Sequence, residues 1–336
     1  MKYFFLFFTL FLILIAGCTQ DGAATNGGTT TISSSKGVSA VNFTSDFTTL
    51  RINEVTTLRL LLQNQGDFEA TNITTVLYGE GLLERPNENN FTSSLLPGKQ
   101  DLHVWSLKVP LELSKTESTN YNLNARLFYN YNFSGFRQAG FVAPDYAGGD
   151  LPLSGGVSDS PLSVSISVRN PVRTLYEEGT VFTLTIVVTN YGRGNVDYFN
   201  CSVLNTPQCR KEGYLNELRL SVPSDWGEVT DLSAWEEEVD EDNLETIYVL
   251  NYDLLEGEYD SLSCTTKTDD AECNLISEAL NHLRMIRGNE ARIVLQFSKG
   301  LVDESIIDVI KVSGDFGYEV DTSDFTSPTR LRVLGD

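Results

Sequence analysis

The sequence predicts a mainly β protein built as two antiparallel β-sandwiches in tandem, the second with an insertion that contains a short helix. Three observations lead there: short runs alternating apolar and polar residues, turn signals between them, and a strand–turn–strand block that occurs twice. A period of two residues puts every second side chain on one face, so each run buries one face and offers the other to water.

The duplicated block is the most informative feature. In the first copy, Thr57 to Gly66 (TLRLLLQNQG) is followed by Asn72 to Tyr78; in the second, Phe182 to Gly192 (FTLTIVVTNYG) is followed by Asn195 to Leu204. Both read as strand, Asn-x-Gly turn, strand: Gly is expected there for a positive φ, and Asn to tolerate or stabilise the corner. Further on, Leu127 to Tyr131 corresponds to Val312 to Tyr318, each expected to precede a short polar turn and a final strand.

An apolar strand ending in Asn-x-Gly in both halves resembles the immunoglobulin-like modules of archaeal and bacterial surface proteins, in particular the cell-adhesion-related domain found in bacteria. The resemblance covers residues 37–143 and 161–334. It implies immunoglobulin-like sandwiches with an adhesive or scaffolding role, and it transfers no catalytic residue.

Ahead of these units, Lys2 precedes an apolar run from Tyr3 to Ala16 that ends in Ile15-Ala16-Gly17-Cys18. As a helix the run rises roughly 21 Å at about 1.5 Å per residue, short of a hydrocarbon core of about 30 Å. It therefore reads as a signal peptide, residues 1–17, rather than a permanent span. Its end resembles the lipobox of prokaryotic lipoproteins, which implies that Cys18 carries the lipid. An ordinary signal peptide and an uncleaved anchor are the alternatives, and all three place the rest of the chain outside the cytoplasm.

Residues 18–36 form a Ser/Thr/Gly tether with a reach of roughly 20 to 25 Å. The first sandwich is expected at 37–143, a linker through Gly148-Gly149 and Gly155-Gly156 at 144–160, and the second sandwich at 161–336. With 24 Lys+Arg against 46 Asp+Glu the formal charge is −22, a surface that repels nucleic acid, and the sequence has no Lys/Arg block of the kind that docks on anionic lipid. The expected partners are the membrane, through the lipid, and other surface proteins or an extracellular polymer.

Four cysteines follow Cys18, an even number that suits disulfides in an exported chain. Of three possible pairings, Cys201 with Cys209 and Cys264 with Cys273 join near neighbours across polar residues. Their seven and eight intervening residues exceed the spacers usual between zinc ligands.

From Asn64 to Tyr131 is 67 positions and from Asn190 to Tyr318 is 128, so the second copy holds about 60 extra residues. Most fall in an insertion at about 205–289, which contains Trp226, Trp235, Tyr248, Tyr252, Tyr259 and an acidic run from Glu236 to Asp242. Asn274 to Ile286 carries apolar residues at helical spacing, with Gly288 as its stop. Two readings stand: a decoration packed on the sandwich, or a recognition element using Trp226, Trp235, Tyr248 and Tyr252. Exposed tryptophans in a groove would favour recognition, and buried ones scaffolding.

Few residues of the sequence fall in a catalytic or metal-binding pattern. His103 and His282 are the two histidines and read as structural, His103 at the surface. No phosphate-binding glycine loop or nucleophile elbow is present. Asp240, Glu241 and Asp242 are a weak calcium candidate without the EF-hand spacing, so no metal or other cofactor is expected. Asn42, Asn72, Asn90, Asn132 and Asn200 open N-glycosylation triplets, about as many as chance supplies. The functional expectation is a non-enzymatic, lipid-anchored surface protein in adhesion, envelope architecture or assembly. The alternatives are a lipoprotein binding polysaccharide or peptide through the insertion, and a hydrolytic surface enzyme.

Overall fold

Alternation in the sequence becomes alternation in burial along Val55–Asn64, Thr180–Asn190 and Glu290–Lys299 of the computed structural model. It describes residues 36–85, 90–111, 118–176, 179–199, 210–266, 270–286 and 289–334. The chain divides into two units, Met1–Ser33 and Ser34–Asp336, and the first lies outside the described residues. So do Cys18, Asn200, Cys201 and Cys209.

The first half runs through β1 (Val38–Ser45), β2 (Thr49–Leu50), β3 (Val55–Asn64), β4 (Ala70–Tyr78), β5 (Asn90–Leu95), β6 (Gln100–Lys108) and β7 (Thr119–Val142). In β3 the inward positions are Leu58, Leu60 and Leu62, all fully buried, and Trp105 of β6 pairs opposite Leu58. Three of these strands form an antiparallel sheet in the order β1-β3-β6.

The second half repeats the pattern with β8 (Gly155–Val157), β9 (Leu162–Val168), β10 (Val172–Arg173), β11 (Thr180–Asn190), β12 (Asn195–Phe199) and β13 (Arg210–Glu212). The insertion follows as β14 (Glu217–Pro223), β15 (Trp226–Glu228), β16 (Glu236–Asp240), β17 (Glu245–Asn251), α1 (Tyr252–Ser261) and α2 (Ala271–Leu283). The chain closes with β18 (Glu290–Lys299), β19 (Ile306–Asp321) and β20 (Thr329–Val333). Here β9-β11-β18 repeat the order of β1-β3-β6, with β15 added at the β18 edge.

The halves meet in one sheet. β7 and β19 pair antiparallel along all 16 residues of β19, with Tyr131 opposite Phe316 and Tyr129 opposite Tyr318. Strands of both halves thus belong to a sheet running β16-β17-β14-β19-β7-β20-β2, with β4, β8, β10 and β12 joined along it. Phe141 of β7 meets Phe182 of β11 with ring centroids 5.2 Å apart, so the large sheet packs its apolar face on the small one.

Several expectations change here, each for a physical reason. Residues 144–160 are more than a linker, because Gly155–Val157 add as β8 to β7. The polar turn expected after Tyr131 is absent: β7 continues to Val142, and Asn132 and Ser134 are polar because they occupy the outer face of the sheet. After Tyr318 the turn does occur, as a 3-10 turn at Thr322–Asp324 leading into β20. The helix expected at 274–286 is α2, shifted to Ala271–Leu283. Asp270 caps its start by accepting from the Glu272 N–H, and Arg284 ends it in extended backbone, ahead of Gly288. Helix α1 was not expected, since it carries few apolar residues. It is nucleated by Asn251, whose side chain accepts from the N–H groups of Asp253 and Leu254.

Candidate functional site

At the corner of each repeat, sequence, turn and packing converge on one device. Asn64 ends β3 fully buried, and its amide nitrogen donates to the carbonyls of Phe68 at 2.7 Å and Leu95 at 2.8 Å. Its amide oxygen accepts from the Gly66 N–H at 3.2 Å and the Tyr131 hydroxyl at 3.1 Å, while that hydroxyl accepts from the Phe68 N–H at 3.1 Å. The second repeat reproduces the set: Asn190 donates to Gly194 at 2.9 Å and accepts from Gly192 and from Tyr318, both at 3.0 Å. The Gly194 N–H donates to the Tyr318 hydroxyl at 2.8 Å. Burial pushes the Tyr131 phenol up to about 12 and raises that of Tyr318, so both keep the proton they donate. Neither Gly66 nor Gly192 has the positive φ expected of it; a Cβ on either would collide with the tyrosine hydroxyl, which is why the corner reads Asn-x-Gly in both copies.

The aromatic residues of the insertion turn inward. Trp226, Trp235, Tyr248 and Tyr252 are all buried, with no more than 7% of any of them exposed. Trp226 stacks edge-on to Phe182 at 4.7 Å, Tyr248 donates to Glu228 at 2.6 Å, Tyr252 packs on Tyr214 at 4.9 Å, and Trp235 lies 6.1 Å from the His282 ring. They join the hydrophobic core and form no open aromatic groove.

The acidic run divides between a strand and an exposed turn that holds Glu241 and Asp242. Glu236–Asp240 is β16, the edge strand of the large sheet, where a row of carboxylates discourages pairing with another chain. Asp240 accepts from the N–H groups of Asp242 and Asn243 and from the Asn243 amide, so its carboxylate holds the β16–β17 turn. No group of three or more His, Cys, Asp or Glu side chains among the described residues is arranged to hold a metal.

Cys264 and Cys273 are bonded, tying the turn after α1 to the first turn of α2. Of the glycosylation triplets, Asn42, Asn72 and Asn132 are exposed on strands and Asn90 opens β5.

His103 lies in the core, 2% exposed, rather than at the surface. Its Nδ1 lies 2.5 Å from the Thr75 hydroxyl, and its Nε2 lies 2.8 Å from that of Thr92 and 3.3 Å from Asp101. Burial lowers its pKa below the usual 6.5, opposed by Asp101; burial also lowers that of His282, opposed by Glu278. Both shifts are downward, so the unfolded chain takes up these protons first. Their contribution is therefore intact above about pH 6.5 and is lost as pH falls below it. Denaturation midpoints measured at about pH 7.5 and about pH 5.5 should fall for the wild type and fall less for His103→Gln, and equal falls would contradict the assignment.

A cavity of about 790 Å³ lies where the insertion meets the repeat, lined by Asp197 of β12, His282 of α2, Arg284, Met285 and Arg292 of β18. The Nδ1 of His282 is buried there with no hydrogen-bond partner among the described residues. Nothing in the sequence brings these residues together, since about 95 positions separate the first from the last.

No family model matches the chain, and no curated protein matches it. Among the solved structures that share a weak likeness are two bacterial proteins. The sporulation control protein Spo0M from Bacillus subtilis is 6% identical over 46% of this chain and 68% of that one, with a TM-score of 0.16. The secreted serine protease VesC from Vibrio cholerae is 10% identical over 81% of this chain and 48% of that one, with a TM-score of 0.18. At these scores neither bears on fold or activity.

Proposed function

We propose that the chain is a lipid-anchored cell-surface protein. Its folded body serves adhesion, envelope architecture or assembly with other surface proteins, and its two repeats are immunoglobulin-like sandwiches fused along β7 and β19. The observation that carries this reading is the burial of Trp226 and Trp235, the feature that separates a scaffold from a lipoprotein that grips ligand with its insertion. The apolar run ending at Cys18, the tether after it and the Cys264–Cys273 bond support placement outside the cytoplasm.

A second reading has one observation in its favour. The cavity beside His282 sets two guanidinium groups and two carboxylates, Asp197 and Glu278, near the apolar side chain of Met285, a mixed lining that suits a small polar ligand.

The anchor is tested at Cys18. Wild-type protein should partition with membranes and yield an N-terminal peptide bearing acyl chains, whereas Cys18→Ser should stay unprocessed or be shed. Mature protein beginning elsewhere and lacking lipid would rule the anchor out. Pull-down of the detergent-solubilised protein should recover other envelope proteins, and recovery of cytoplasmic proteins alone would contradict the surface role.

A further inference from the structure

The last strand residue of β18 is a lysine in the same place as the last residue of β6, yet the two meet opposite fates. Lys108 is 39% exposed and faces Glu84 across 3.7 Å. Lys299 keeps 4% of its side chain exposed. Its Nζ lies 2.5 Å from Asp225 Oδ2 and 2.9 Å from Asp308 Oδ2. Asp308 is itself enclosed, 11% exposed, while Asp225 is 64% exposed. Asp308 Oδ2 also accepts from the Trp226 indole N–H at 2.8 Å, and the Phe141 ring lies 5.4 Å from Nζ. Removing two charges from water among aromatic rings is costly, so hydrophobic replacements of an enclosed ion pair are often as stable. Condensation would remove both charges at once.

The geometry points to an intramolecular amide bond between Lys299 Nζ and Asp308 Cγ, formed without any added reagent. Asp225 accepts a proton from the lysine ammonium and passes it to the Asp308 carboxylate, leaving an amine beside a carboxylic acid. Nζ attacks Cγ, and the Trp226 N–H supports the charge that gathers on Oδ2. A second proton then moves from Nζ through Asp225 to the departing oxygen. The Cγ–O bond breaks, the Nζ–Cγ bond remains, and one water leaves past the exposed Asp225. Ammonium plus carboxylate equals amide plus water, so atoms and charge balance and nothing is oxidised or reduced. The enclosed pair supplies the proximity such a step needs. The bond would staple β18, in the four-stranded sheet, to β19, in the large sheet. This inference does not depend on the surface role proposed above.

Tryptic mapping of the purified full-length protein tests it. The amide blocks cleavage after Lys299, so residues 293–311 should appear as one peptide, one water lighter than its sequence, with fragment ions placing the loss between Lys299 and Asp308. Cleavage after Lys299 at unmodified mass, or a loss mapped to Asp303 or Glu304, would overturn the proposal. Asp225→Asn changes an exposed side chain and should keep the wild-type circular dichroism while regaining the water. Loss of water in that variant would overturn the role given to Asp225, and loss of water in Lys299→Arg would overturn the bond itself.

Discussion

Replacing Pro223 to Asn289 by a short Gly/Ser linker is expected to abolish cooperative folding of the second half. The first repeat closes without such a segment, so the repeat pattern alone favours a removable attachment. The packing argues the other way. The segment contributes Trp226, Trp235, Tyr248 and Tyr252 to the core, β15 to the four-stranded sheet, and β17, which covers the free edge of β14. It also supplies Asp225 and Trp226, which hold Lys299 and Asp308. Truncating one buried tryptophan costs about 3 to 5 kcal/mol, and whole domains hold only about 5 to 15 kcal/mol. Losing two exhausts that margin. Circular dichroism melting and limited proteolysis should show a chain without a sharp transition, cut readily after residue 160; a sharp transition with an intact β signature would show the insertion to be dispensable.

Asn64→Ala is expected to cost about 3 to 4 kcal/mol, the largest effect of any single polar substitution outside the Lys299 cluster. It strands the carbonyls of Phe68 and Leu95, the Gly66 N–H and the Tyr131 hydroxyl in a fully buried corner. Asn190→Ala should cost less, about 1 to 2 kcal/mol, because Asn190 is half-buried and water can replace part of its set. Asn42→Ala, on an exposed face of β1, should stay within about 0.5 kcal/mol. Urea denaturation of the three variants gives the ranking, and equal costs at Asn42 and Asn64 would refute the structural role of the corner.

That corner was legible in the sequence because its parts are local: Asn, Gly and an alternating strand sit within a few positions, and the matching Tyr131 and Tyr318 fall at corresponding points of each copy. The β character of the chain was legible for the same reason. What the sequence concealed is non-local. Asn132 and Ser134 look like a turn, but they are the outer residues of a strand whose partner, β19, lies far along the chain. In the acidic run Glu241 and Asp242 do lie in an exposed turn, but Glu236 to Asp240 form a sheet edge, where charge is useful. His103 looks superficial because only the folded sheets bring Thr75 and Thr92 to its ring. Asp225, Trp226, Lys299 and Asp308 carry no motif, and their chemistry arises from burial that only packing creates. The aromatic insertion invited a recognition reading because large aromatics serve cores and interfaces alike, and composition does not distinguish the two.

β7 and β19 fuse the two repeats into one sheet, and a designed cross-link tests that pairing most directly. Ser134 and Ser313 stand opposite each other in the ladder, and facing Cβ atoms in antiparallel strands lie about 4.5 to 5.5 Å apart. The double variant Ser134→Cys, Ser313→Cys should form a disulfide on mild oxidation of the folded protein, recovered by non-reducing peptide mapping as a peptide joining the two strands. A folded double variant whose two new thiols stay free would contradict the fused sheet and restore two independent domains.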